Sequence, residues 1–163
     1  MLGPKLLSPR ILFPSPRRPV PRRLPERKRM TIAAGFYCTD GLVICADTEV
    51  SVGDFRLSAT KVHGIDKFNS PKILMTGSGN TDFMEFAFQQ FDHLAQAGMS
   101  LDEVRDTFET VIEIVYENHL YKNPAFTGSD DLTNIDLIVG AWTAPASYHL
   151  WRNSMTAIMD IPR

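Results

Sequence analysis

The sequence predicts an α+β layered sandwich, with helices packed on mainly antiparallel sheets. Three observations carry this. The elements run as strands, then two consecutive helices, then strands again. The first strands are joined by a tight turn, whereas a doubly wound fold would alternate strand and helix. One strand is apolar without alternation, which predicts a sheet covered on both faces. No internal repeat is present.

Each element follows from its own residues. Residues 31–38 read as a strand, and Thr39-Asp40-Gly41 as a hairpin turn, because Asp-Gly supplies the positive-φ positions such turns need. Leu42-Val43-Ile44-Cys45-Ala46 is the unalternating apolar strand. A polar loop (51–54) and a less apolar extended stretch (55–65) follow. Pro71 opens a strand over 72–76 that ends at Gly77-Ser78-Gly79. Phe83, Phe86, Ala87, Gln90, Phe91 and Leu94 recur at helical spacing, with Gly98 as the predicted C′ stop. Ser100 and Glu103 form a capping box that opens a second helix running past Val104, Phe108, Val111, Ile112 and Val115 towards Leu120. Its acids (Asp106, Glu109, Glu113, Glu117) mark the solvated side. A polar loop (123–134) then leads to strands at 135–142, 147–151 and 155–161.

Charge divides the chain in two. Residues 1–30 hold nine Lys/Arg against Glu26 alone, a net of +8, and seven of the eleven prolines. Residues 31–163 hold eight Lys/Arg against eighteen acids, a net of −10. Proline at that density builds neither helix nor sheet interior. The first segment is read as a disordered basic extension or a removed propeptide; a contact with nucleic acid or anionic lipid, or a targeting role, are the other readings. The acidic body argues against phosphate-backbone binding. No apolar run approaches the ~18–20 residues of a membrane span, so a soluble protein with no membrane or nucleic-acid partner is expected. The two cysteines, Cys38 and Cys45, read as inert core residues. No Cys/His cluster has metal-ligand spacing, so no metal or other cofactor is expected.

Three features can carry chemistry. Thr31 follows Met30, so a chain begun at Met30 and trimmed of its methionine would expose a free α-amine at Thr31. Such an amine, with a pKa near ~7.7–8.0, can take the proton of its own hydroxyl at neutral pH. Asp47 closes an apolar strand, where a carboxylate calls for a partner, and Lys61 is the candidate. Gly77-Ser78-Gly79 joins a strand to a helix start, where backbone amides can bind an oxyanion. The plainer alternatives stay open: a strand's first residue, a strand's end, a solvated lysine and a simple turn.

Taken together, Thr31, the run Asp40-Gly41-Leu42-Val43-Ile44-Cys45-Ala46-Asp47-Thr48, the run Thr60-Lys61-Val62-His63-Gly64-Ile65-Asp66 and Met75-Thr76-Gly77-Ser78-Gly79 resemble the N-terminal half of a proteasome β-type subunit. The same pattern resembles the bacterial heat-shock-locus peptidase, another N-terminal nucleophile (Ntn) hydrolase of the threonine peptidase superfamily. Sixteen residues separate Thr31 from Asp47, as in that family. Lys61 falls on the family's lysine if two residues are deleted from the preceding loop. The likeness covers about residues 31–160.

The resemblance implies a four-layer αββα Ntn sandwich over 31–163, incomplete at its C-terminal end, where the family adds strands, two helices and a Ser/Asp/Ser support group. It implies a threonine endopeptidase: Thr31 as nucleophile, Lys61 tuning it, Asp47 fixing Lys61, and the Gly77 amide holding the oxyanion. Val50, Ala59, His63, Met75, Gly79 and Phe83 would line an apolar pocket for the side chain before the cut. Peptide or unfolded-protein substrates, an oligomeric ring, an ATPase unfoldase and a cytoplasmic location are the expected setting; the alternative is a non-catalytic structural subunit. Two departures bear on this. Met30, rather than glycine, precedes Thr31, and Glu49 stands where proteasome subunits often carry arginine.

Overall fold

The structure is a computed structural model that describes residues 31–52, 55–67, 69–122, 135–143 and 147–163. The predicted extension (1–30), Gly53 and Asp54 of the first polar loop, and the loop at 123–134 lie outside the described residues. The elements are β1 (Ala33–Cys38), β2 (Gly41–Ala46), β3 (Glu49–Val52), β4 (Phe55–Ser58), β5 (His63–Ile65), β6 (Lys72–Gly79), α1 (Thr81–Leu94), α2 (Leu101–Val115) with a π-helical turn at Tyr116–Leu120, β7 (Ile135–Thr143), β8 (Ser147–Ser154) and β9 (Ala157–Asp160). The fold is mixed α/β, and all described strand pairs are antiparallel.

β5 to β9 form one five-stranded sheet in sequence order. Odd-numbered residues of β7 (Ile135, Leu137, Val139, Ala141) face α1 and α2, and with Ile65, Ile73, Met75, Phe91, Phe108, Val111 and Ile112 they make the main core. The opposite face carries the β1–β2 hairpin, which packs across β6, β7 and β8. Gly140 permits that approach: a Cβ there would lie 3.0 Å from Ile44 and 3.1 Å from Leu42 of the hairpin. Three layers are therefore present among the described residues: helices, five-stranded sheet, hairpin.

The helix ends obey local chemistry. Asn80 caps α1 by accepting from the amides of Asp82 (3.0 Å) and Phe83 (3.4 Å). The predicted capping box of α2 is complete: the Glu103 amide donates to Ser100 Oγ (3.2 Å), and the Ser100 amide donates to Glu103 Oε2 (2.7 Å). The Ser100 amide, together with the Ser100 hydroxyl that donates to the same oxygen (2.9 Å), holds the Glu103 carboxyl below its ordinary value. Tyr121 closes the π-helical turn by donating its amide to the Tyr116 carbonyl (2.8 Å).

Several expectations need correction. Gly98 is not the stop of α1. That helix ends at Leu94 with Ala95 as its cap, and Gly98, at φ 80°, sits further on with its amide on the Ser70 carbonyl (2.9 Å). The glycine-rich stretch 77–79 does not end β6; the strand runs through it to Gly79. The apolar strand over 42–46 has its inner side chains, Leu42 and Ile44, on the sheet, but Val43 is 48% exposed. Cys38 and Cys45 are likewise exposed rather than in the core.

Candidate active site

The site begins where the β1–β2 ladder ends. Ala33 pairs with Ala46, so the next pair in register is Ile32 with Asp47. The Asp47 amide donates to the Ile32 carbonyl (2.9 Å), while the Ile32 amide turns to the Asp47 carboxylate, Oδ1 (3.2 Å). The carboxylate thus stands beside the first residues of β1 because the hairpin register puts it there.

Lys61 supplies the opposite charge. Its Nζ donates to Asp47 Oδ1 at 3.0 Å and to Thr31 Oγ1 at 3.3 Å. The Lys61 side chain is 4% exposed and that of Asp47 27%. The ammonium is therefore out of water and depends on these two oxygens. Lys61 holds the Asp47 carboxyl below its ordinary value, chiefly through its hydrogen bond; partial burial opposes, and the Ile32 amide assists. The Lys61 carbonyl accepts from the buried hydroxyl of Thr76 (3.0 Å), which ties the lysine to β6.

Gly77 lies alongside. β5 pairs with β6 as Ile65 with Ile73 and His63 with Met75, and continuing that register by two residues sets Lys61 opposite Gly77. Thr31, Asp47 and Lys61, spread over thirty residues of sequence, are thus brought into contact, with Gly77 in the adjoining strand. An ammonium 3.3 Å from a hydroxyl lowers the cost of negative charge on that oxygen, which activates a nucleophile.

The six predicted pocket residues are placed less uniformly. His63 and Met75 are a cross-strand pair. His63 stacks on Phe88 (5.4 Å between ring centres), and Met75, 1% exposed, belongs to the helix-side core. Gly79 ends β6 at φ 113°, and Phe83 in the first turn of α1 packs against His119 (5.7 Å). Val50 pairs with Leu57 in the separate β3–β4 hairpin, and the Ala59 amide donates to the Thr48 carbonyl (2.8 Å). Glu49 of that hairpin is paired with Arg56 (3.0 Å).

Two buried polar residues of the described strands escaped the sequence reading. One is Thr76. The other is Asn153, whose Nδ2 donates to the carbonyls of Ile135 and Met155 (2.9 Å each) and whose Oδ1 accepts from the Leu137 amide (2.6 Å). A lone threonine or asparagine in a strand pattern carries no signal of such bonds; they follow from cross-strand register. Among the described residues no group of three or more His, Cys, Asp or Glu could hold a metal ion, and no helix is long and apolar enough to cross a membrane.

The hairpin laid on a helix-backed antiparallel sheet is a fold shared with solved structures. Solved structures that share it include Anbu proteins, whose fold is proteasome-like. The Anbu (ancestral beta-subunit) of Yersinia bercovieri matches with a TM-score of 0.65 at 13% identity, over 82% of this chain and 57% of that one. Anbu in a helical assembly from Pseudomonas aeruginosa matches at 0.63 and 16% identity over 82% and 57%, and a Gly-1 mutant of Anbu from Hyphomicrobium sp. strain MC1 at 0.65 and 13% over 82% and 56%. The chain thus spans little more than half the length of these structures. No protein-family model and no curated protein sequence matches it. These neighbours overturn the assignment to the proteasome β-type and heat-shock-locus peptidase group: the likeness is to Anbu, and nothing points to the heat-shock-locus enzyme. The physical reason is plain. Motif spacing records how a hairpin, a loop and a strand bring three residues together, and it does not separate branches that share that fold.

Proposed function

We propose that this chain is a threonine-type endopeptidase subunit of an oligomeric, proteasome-like assembly, active when residues 1–30 are removed and Thr31 carries a free α-amine. The observation that carries the proposal is the buried Lys61 ammonium held between Asp47 and the Thr31 hydroxyl.

Thr31 Oγ1 attacks the peptide carbonyl carbon as its proton passes to the Thr31 α-amine. The carbonyl oxygen becomes an oxyanion received by the Gly77 amide, a contribution of about 2.7–4 kcal/mol in enzymes where such a donor has been removed. The C–N bond then breaks, and the leaving amine takes the proton from the α-ammonium. Water hydrolyses the threonyl ester with the same amine as base. Lys61 stabilises charge on Oγ1 throughout, and Asp47 keeps Lys61 in place.

Within this reading Val50, Ala59, His63, Met75, Gly79 and Phe83 border the substrate side chain, and the apolar Met75 and Phe83 select hydrophobic residues before the cut. Fluorogenic peptides ending in Leu or Tyr should then be cleaved faster than those ending in Arg or Glu. The substrates are peptides or unfolded proteins in the cytoplasm, delivered by an ATPase unfoldase. Subunits associate as the Anbu of P. aeruginosa does, and a fourth, helical layer covers the outer hairpin face where Phe36 and Val43 are exposed.

N-terminal sequencing of native material, followed by mass spectrometry after exposure to a peptide epoxyketone, tests the proposal. A chain beginning at Thr31 that gains the full inhibitor mass supports it. A chain that keeps residues 1–30 and forms no adduct is a structural subunit, because the amide at Thr31 cannot serve as base.

A further inference from the structure

The backbone around Gly77 poses a question of hydrogen-bond accounting. In an antiparallel sheet, residues alternate between turning their N–H and C=O towards one neighbour and towards the other. The amide of Leu137 and the carbonyl of Ile135 are taken by Asn153 on the β8 side. The Leu150 carbonyl, which accepts from the Ile161 amide (3.0 Å), faces away from β7 and fixes the same phase independently. Leu137 therefore turns towards β8, and Gly77, directly opposite it, turns away from β7 towards the β5 side.

On that side β5 covers Ile73 and Met75, then stops. Had the ladder continued, the Gly77 amide would donate to the carbonyl of Lys61. It does not: among the described residues no backbone hydrogen bond joins the two, and the Lys61 carbonyl is instead satisfied by Thr76 Oγ1 (3.0 Å). A buried amide left over in this way costs stability unless something arrives to use it.

We infer that Thr76 is a positioning residue, whose hydroxyl occupies the Lys61 carbonyl and so keeps the Gly77 amide unspent for the oxyanion. The inference rests on the peptidase reading for what the amide receives, but the latch itself is a matter of hydrogen bonds. Valine has nearly the shape of threonine and lacks only the donor. In Thr76→Val the Lys61 carbonyl draws the nearest free donor, the Gly77 amide, and the ladder closes by one rung. Thr76→Ser keeps the donor.

Amide hydrogen exchange of the labelled full chain, read residue by residue by NMR, tests the latch without any turnover. The Gly77 amide should exchange at least about tenfold faster than that of Met75 in the unaltered chain, and Thr76→Val should slow it by a similar factor while Thr76→Ser does not. Equal protection of Gly77 and Met75 in the unaltered chain overturns the inference, even if Thr76→Val does not fold. So does unchanged Gly77 exchange in a folded Thr76→Val chain. In the chain processed to Thr31, Thr76→Val should lower kcat about tenfold or more with KM little changed, and Thr76→Ser should restore it. If the processed chain cleaves no peptide, the peptidase reading fails, and the exchange comparison still decides the latch.

Discussion

Removing the two partners of the buried ion pair should not cost the same. Asp47→Asn keeps the shape of the side chain but strips the charge facing an ammonium that is 4% exposed. Breaking a fully buried pair in this direction costs about 3–5 kcal/mol, because the surviving charge is stranded. Here Thr31 Oγ1 still accepts from Lys61 and the carboxylate side is 27% exposed, so we expect about 3 kcal/mol. For a chain of this size that is a fall of about 6–12 °C in Tm. Lys61→Met strands the other charge, but the Asp47 carboxylate keeps the Ile32 amide and can be reached by water. Its cost should be about 1 kcal/mol, in the range of an ordinary hydrogen bond. Urea unfolding at pH 7 with a thermal melt on each variant measures both. A Lys61→Met variant as unstable as Asp47→Asn, or more so, refutes the claim that the lysine is the buried member of the pair.

Three further outcomes are expected. Lys61 depresses the Asp47 carboxyl in the folded state, so the pair's contribution is complete above the ordinary aspartate value of 3.8 and is lost as pH falls through the lower folded value. The stability gap between the unaltered chain and Asp47→Asn should therefore narrow at acid pH, and a gap constant from neutral to strongly acid solution contradicts this. In Gly77→Ala the added Cβ would meet Leu137 Cδ2 at 2.5 Å and the Asp136 carbonyl oxygen at 2.6 Å, whereas Gly41→Ala meets nothing within 4 Å. Gly77→Ala should cost about 2–3 kcal/mol in thermal unfolding, with Gly41→Ala as the near-neutral control. Ser100→Ala removes the oxygen that caps α2 and should cost about 1 kcal/mol, read as a lower urea midpoint at unchanged slope.

Local chemistry was legible in the sequence wherever the cause was local. Asp40-Gly41 marked where β1 turns into β2, although the turn itself is Thr39-Asp40, Gly41 already belongs to β2, and neither Asp40 nor Gly41 takes the positive φ expected of it. Ser100 and Glu103 marked the start of α2, and the 3.6-residue period of Phe108, Val111, Ile112 and Val115 marked its buried face. The nearness of Thr31 and Asp47 was legible because hairpin register turns a sequence interval into a distance, whereas Lys61 joined them through the family resemblance and not through any spacing within the hairpin. What depends on the layer across the sheet was not. Val43 and Cys45 look like core residues, yet their side of β2 faces outwards, since the hairpin has one sheet beneath it. Thr76 and Asn153 read as ordinary strand residues, because the bonds from Thr76 to Lys61 and from Asn153 to Ile135 and Leu137 reach segments fifteen or more residues away.

The hairpin's placement also bears on the order of folding. Among the described residues, β5 to β9 pair only with their neighbours along the chain, so that sheet can grow stepwise around the two helices. β1 meets it through contacts between distant parts of the chain: the Leu150 amide donates to the Tyr37 hydroxyl, and the Tyr148 hydroxyl donates to the Cys38 carbonyl, across 113 and 110 residues. Contacts that close such long loops form late. The hairpin whose open end carries Thr31 and Asp47 is therefore anchored by a strand more than a hundred residues further along, and a chain that stops short of β8 lacks these bonds.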